Sequence, residues 1–141
     1  MRFYLDSMVW IYAFEGNPHF GSAAQSFIRG LRNGQHTLLT SHFLLGELLV
    51  LPLRNNNSFL IAAYKQALTE STTVEVVPFT AEVATTFARC RATYRTHPAD
   101  SIHLALAASA GCDSFVTVDS RLQKLSLPGI GKIIDLTQSV P

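Results

Sequence analysis

Charge is scarce in this chain. Over 141 residues only 15% are Asp, Glu, Lys or Arg, against roughly a quarter in ordinary globular domains, which excludes a disordered tail or a highly charged solubilising segment. Cysteine is nearly missing. Cys90 and Cys112 sit in apolar stretches without CxxC spacing, so there is no zinc ribbon or disulfide framework to read, only two buried thiols in a reducing compartment. No apolar run approaches the roughly 18 residues of a membrane span. The opening Phe3-Tyr4-Leu5 is broken at once by Asp6, unlike a secretory signal, and the expectation is a soluble, cytoplasmic protein with no membrane partner. Also missing are a glycine-rich phosphate loop and any local signature of a Ser–His–Asp or Cys–His nucleophile.

What is there is apolar: 48% of residues are hydrophobic and mean hydropathy is +0.20. A chain of this length buries about two-thirds of its extended surface, and residues 1–141 read as one domain. Low charge leaves apolar surface for a partner to cover, so a homodimer is expected. The net charge of +1 makes any basic surface local.

Along the chain, short apolar runs alternate with helical spacing. Strands are expected at Phe3–Leu5, Thr37–Ser41, Val74–Pro78, Phe115–Val118 and Ile130–Leu136, with helical segments between them. Pro52 is expected to bend or end the apolar helix that begins at Phe43. His97-Pro98-Ala99-Asp100 reads as a helix start, with proline where a first turn tolerates it, and Gly111 as the stop of that helix. Short strands separated by helices argue for an α/β fold with a mostly parallel sheet covered on both faces.

Of the ten acidic residues, six stand beside turns, polar neighbours or strand ends. The other four are Asp6, Glu47, Asp100 and Asp119. Asp6 and Asp119 each follow an apolar strand, and the carboxyl ends of parallel strands are where such sheets bind ligands. Glu47 lies between Phe43-Leu44-Leu45-Gly46 and Leu48-Leu49-Val50-Leu51, where an unpaired carboxylate costs several kcal/mol; Arg54 is one candidate partner. Asp100 sits in a first helical turn, its side chain directed back toward the helix N-terminus. If that terminus abuts the strand ends, all four carboxylates converge and need a cation. An all-oxygen donor set suits Mg²⁺ or Mn²⁺.

The segments Tyr4-Leu5-Asp6-Ser7, Leu45-Gly46-Glu47-Leu48, Ala99-Asp100-Ser101-Ile102-His103-Leu104-Ala105 and Phe115-Val116-Thr117-Val118-Asp119 resemble, in order, the four signature segments of the PIN-domain family. In size the chain is similar to that family's VapC-like toxin ribonucleases. The resemblance implies a three-layer α/β/α fold with a five-stranded sheet of order 3-2-1-4-5. It implies metal-binding, catalytic acids at Asp6, Glu47, Asp100 and Asp119, and hydroxyls at the site's edge at Ser7 and Thr117. It also implies a divalent-metal endoribonuclease and an antitoxin protein partner.

With carboxylates and Mg²⁺, the nucleophile is expected to be water rather than a protein group, and RNA cleavage should leave 5′-phosphate and 3′-hydroxyl ends. Eight of the eleven basic residues are arginine, and Arg91 and Arg95, just before His97 and Asp100, are candidates for positioning RNA phosphates. His103, three residues after Asp100, lies near the same helical face and reads first as a packed polar position. The competing reading is a catalytically silent relative of the same fold, kept as an RNA-binding or interaction scaffold. A DNA nuclease of the same shape and a phospho-acceptor signalling domain are further competitors; the latter requires adjacent acids after the first strand, where this chain has Asp6-Ser7.

Overall fold

A computed structural model describes residues 1–138. In chain order the elements are β1 (Arg2–Leu5), α1 (Ser7–Glu15), α2 (Gly21–Asn33), β2 (Thr37–Thr40), α3 (His42–Arg54), α4 (Ser58–Lys65), β3 (Val74–Val76), α5 (Ala81–Tyr94), α6 (Pro98–Ser109), β4 (Cys112–Thr117) and β5 (Ile130–Asp135). A π-helical turn at Gln66–Glu70 follows α4, and a 3-10 turn at Leu122–Lys124 precedes β5. The five strands form one sheet of order β3-β2-β1-β4-β5, and every pairing in it is parallel. This is the architecture and strand order expected from the resemblance.

Alternation along the strands sends side chains to two cores. Phe3, Leu5, Leu38 and Val116 pack with Trp10 of α1, Phe27 of α2, Leu44 of α3 and Tyr64 of α4. Tyr4, Leu39 and Phe115 face the other way, against Val83 and Cys90 of α5 and Leu104 of α6. The sheet is therefore the middle of three layers. Both cysteines are free and buried.

Two local readings change. The helix α3 does not stop at Pro52 but runs through it to Arg54; the proline ring is buried, and that packing offsets the lost hydrogen bond to the Leu48 carbonyl. The fourth strand starts at Cys112 rather than Phe115, directly after Gly111, whose φ of +66° ends α6 in the left-handed conformation that glycine adopts without strain.

The sheet's polarity positions the site. In a parallel sheet all carboxyl ends lie along one edge, so Asp6 after β1 and Asp119 after β4 emerge side by side from neighbouring strands paired through Leu5 and Val116. The main chain seals this junction, since the Asp6 amide donates to the Val116 carbonyl at 2.9 Å.

Candidate functional site

Asp6 begins α1 but does not cap it with its side chain. Its carboxylate, 6% exposed, instead accepts from Thr117 Oγ1 at 2.8 Å and from Ser7 Oγ at 3.3 Å. The Thr117 hydroxyl also accepts the Asp119 amide at 3.0 Å. One buried hydroxyl thus ties the first acid to the backbone of the last, a job that a residue two before Asp119 at a strand end is placed to do.

Asp119 is held from its other side. Arg121 donates to it three times, through its amide at 2.8 Å, Nε at 3.1 Å and Nη2 at 2.6 Å. These bonds hold the Asp119 carboxyl below the ordinary carboxylate range. Glu47, partly buried, pairs with no arginine among the described contacts; its partner is the imidazole Nε2 of His103, and Arg54 plays no part. His103 is fully buried on α6, and its Nδ1 meets Tyr4 Oη at 2.8 Å.

Asp100 lies in the first turn of α6, and its carboxyl is pushed up from the usual range. Burial is the largest cause, followed by the negative charges of Asp6 and Asp119, with His103 and His97 opposing. Asp100 therefore faces the charges of Asp6 and Asp119, while Glu47 contacts α6 at His103, about one turn along from Asp100. As the side chains stand, no three His, Cys, Asp or Glu groups among the described residues are arranged to hold a metal ion. The donor chemistry nonetheless fits a hard divalent cation: carboxylate oxygens only, and mutual repulsion that such an ion relieves.

Beside Asp100 opens a cleft of about 150 Å³ lined by Tyr94, Arg95, Thr96, His97, Arg121 and Leu122. Arg95 lines it from a left-handed backbone position, φ +54°, at the end of α5 where glycine is usual. Arg121 Nη1 lies 3.4 Å from His97 Nε2. Arg91 is spent differently, donating to the Thr96 carbonyl in the loop that leads into α6. A larger cavity, about 590 Å³ and lined by Phe14, Arg32 and Glu70 among others, contains none of the four acids.

Two of these participants escape a reading of the sequence. Arg121 stands two residues after Asp119, where a bidentate grip depends on the turn's geometry. His103 is visible as a polar residue in an apolar helix, but nothing in the spacing names Glu47, 56 residues away, as its partner. A buried imidazole must have hydrogen-bond partners, and that requirement is the available signal.

A family model described as PIN domain matches residues 3–127. The chain belongs to the PIN-domain family. Among solved structures it is similar to VapBC2 from Rickettsia felis bound to a DNA fragment from their promoter, at 14% identity and TM-score 0.72, covering 96% of this chain and 98% of that one. It is also similar to VapC20 of Mycobacterium tuberculosis, a sarcin–ricin loop cleaving toxin, at 18% identity and TM-score 0.67, covering 84% and 90%. A toxin–antitoxin complex from Klebsiella pneumoniae matches at 18% identity and TM-score 0.67, covering 90% and 93%. No curated protein matches the chain.

Proposed function

We propose that this chain is a divalent-metal-dependent endoribonuclease and the toxin of a VapBC-type pair. The observation that carries the reading is the placement of Asp6 and Asp119 at adjoining strand ends, joined through Thr117, with Asp100 in the first turn of α6, at the carboxyl edge of a PIN-domain sheet. Asp6, Asp100 and Asp119 would hold Mg²⁺ or Mn²⁺, with Glu47 contributing from α3. When bound, the ion supplies an activated water and neutralises charge at the scissile phosphate. Thr117 and Ser7 orient the Asp6 carboxylate, and Arg95, His97 and Arg121 offer the neighbouring cleft donors for RNA phosphates.

Two partners follow. The helices α3 and α4 expose Val50, Leu51, Leu53 and Phe59, the last at 84%, an apolar face suited to a second copy of the chain. The antitoxin is supported by similarity to toxins solved in complex with theirs. No helix among the described residues is long and apolar enough to cross a membrane.

The test is cleavage of a mixed RNA pool by wild type and Asp6→Asn with Mg²⁺, Mn²⁺ or chelator. Wild type should cut only with metal, leaving 5′-phosphate ends, and the variant should not. Cleavage that persists in chelator, or a 2′,3′-cyclic phosphate product, overturns the mechanism. The engagement of Glu47 by His103 and of Asp119 by Arg121 favours one second reading, a silent RNA-binding scaffold, and tight RNA binding without cleavage in any condition would select it.

A further inference from the structure

Three buried polar groups, Ser41, Tyr4 and His103, form a chain through the molecule that ends on the Glu47 carboxylate. Ser41 caps α3, its Oγ accepting the Leu44 amide at 3.0 Å. Tyr4 Oη lies 3.4 Å from that Oγ and 2.8 Å from His103 Nδ1. His103 Nε2 meets Glu47, which lies on the same helix that Ser41 caps. Tyr4 is on the central strand β1, and Tyr4, Ser41 and His103 are all buried.

Hydrogen-bond bookkeeping gives this chain a direction. The Ser41 oxygen is already an acceptor from a backbone amide, so its hydroxyl proton is free for Tyr4. A phenol has one proton, and the contact of 2.8 Å to His103 is the shorter of its two. With the Ser41 hydroxyl donating to the phenol oxygen, the phenol's own proton is directed to His103. His103 Nδ1 is then an acceptor, and Nε2–H donates to the Glu47 carboxylate. The Phe43 ring, its centroid 5.3 Å from the imidazole, and the Tyr4 ring at 5.7 Å pack the imidazole and fix its rotamer.

We propose that Tyr4 and His103 are positioning residues for Glu47: the directed chain Ser41→Tyr4→His103→Glu47 locks the imidazole in its Nε2–H tautomer and aims the Glu47 carboxylate at the site of Asp6, Asp100 and Asp119. The inference rests on the ribonuclease reading, and it deepens that reading by giving a role to buried groups other than the four acids. The same imidazole sits one turn along α6 from Asp100, so it sets the spacing between acids carried on α3 and α6. Partners that orient a metal ligand typically change metal affinity or activity by roughly tenfold to a hundredfold when removed.

The experiment has a part that needs no metal. With ¹⁵N-labelled histidine in the metal-free protein, the His103 ring nitrogens should report a protonated Nε2 and a bare Nδ1; a proton on Nδ1 overturns the proposal. In Tyr4→Phe the tautomer should become mixed. Tyr4→Phe and His103→Leu should each lose roughly tenfold in Mn²⁺ affinity and in kcat with KM for RNA unchanged, and His103→Gln, which keeps a side-chain N–H donor, should recover part of the loss. If Asp6→Asn and Glu47→Gln lose Mn²⁺ binding and cleavage while Tyr4→Phe and His103→Leu keep both, the positioning role alone is overturned. If Asp6→Asn and Glu47→Gln themselves keep both, the ribonuclease reading falls and the purpose of the chain falls with it.

Discussion

Replacing Asp100 by Asn should make the metal-free protein more stable while destroying its cleavage activity. The other three acids have built-in relief: Thr117 and Ser7 for Asp6, His103 for Glu47, Arg121 for Asp119. Among the described residues no donor is bonded to the Asp100 carboxylate. It carries the cost of partial burial and of facing two like charges, which is why its pKa is raised. Asparagine keeps the shape and removes the charge. Because the group is only partly buried, solvent screening cuts the gain to about 0.5–1 kcal/mol. For a domain of this size that corresponds to roughly 1–4 °C in Tm.

The pH dependence gives the effect a sign that a packing artefact would lack. An acid whose folded pKa lies above its unfolded value destabilises the fold while ionised and not while protonated. The Asp100→Asn advantage should therefore be complete at neutral pH and fade as pH falls through the raised pKa toward 3.8, the ordinary value. The assay is thermal unfolding of wild type and variant in chelator from neutrality to about pH 3, repeated with Mn²⁺. Added Mn²⁺ should stabilise wild type by mass action and reverse the ranking. A variant that is no more stable than wild type in chelator at neutral pH, or whose advantage is the same at every pH, refutes the argument that Asp100 bears uncompensated charge.

Two further outcomes probe the surroundings of the site. Arg95→Gly relieves a left-handed backbone position, so it should stabilise the fold by about 1 kcal/mol in denaturant melts while raising KM for RNA; an unchanged KM removes Arg95 from substrate capture. Leu53→Ser with Phe59→Ser places hydroxyls on the exposed face of α3 and α4 and should convert a dimer to a monomer in light scattering without loss of the fold. A wild type that is monomeric at all concentrations would remove self-association from the reading.

Much of the scaffold was legible because it depends on short-range chemistry. Apolar runs bounded by Asp6-Ser7, Thr40-Ser41 and Asp119-Ser120 mark strand ends and helix starts, and Pro98 and Gly111 bracket α6 with residues that act through their own backbone angles. The limits of α3 were less legible because burial of the Pro52 ring, a matter of tertiary packing, outweighs the proline's local tendency to end a helix. The four acids were legible as candidates for a different reason: an ionisable group in apolar company, or directly after a buried strand, is costly enough to demand a purpose. What occupies those acids was not. His103 meets Glu47 across two helices and Arg121 turns back on Asp119, and such pairings are set by tertiary packing that no local periodicity encodes.

That difference between acids and partners carries a physical consequence. Four carboxylates brought together without a cation would repel one another strongly, yet three of the four here are hydrogen-bonded by the chain's own groups: a guanidinium on Asp119, an imidazole on Glu47, two hydroxyls on Asp6. Those contacts differ in how easily they yield. The Arg121 side chain is 68% exposed, so it can exchange Asp119 for water or phosphate at little cost, whereas His103 is fully buried and has nowhere to go. The ion would therefore take Asp119 from a solvent-exposed partner and share Glu47 with a buried one. On this argument the rigid half of the site is the Tyr4–His103–Glu47 side, and the adjustable half is the Asp119–Arg121 side that borders the cleft. An arginine released from Asp119 stands beside His97 and Arg95, where a phosphate of the RNA strand would be met, so binding of metal and binding of substrate should favour one another.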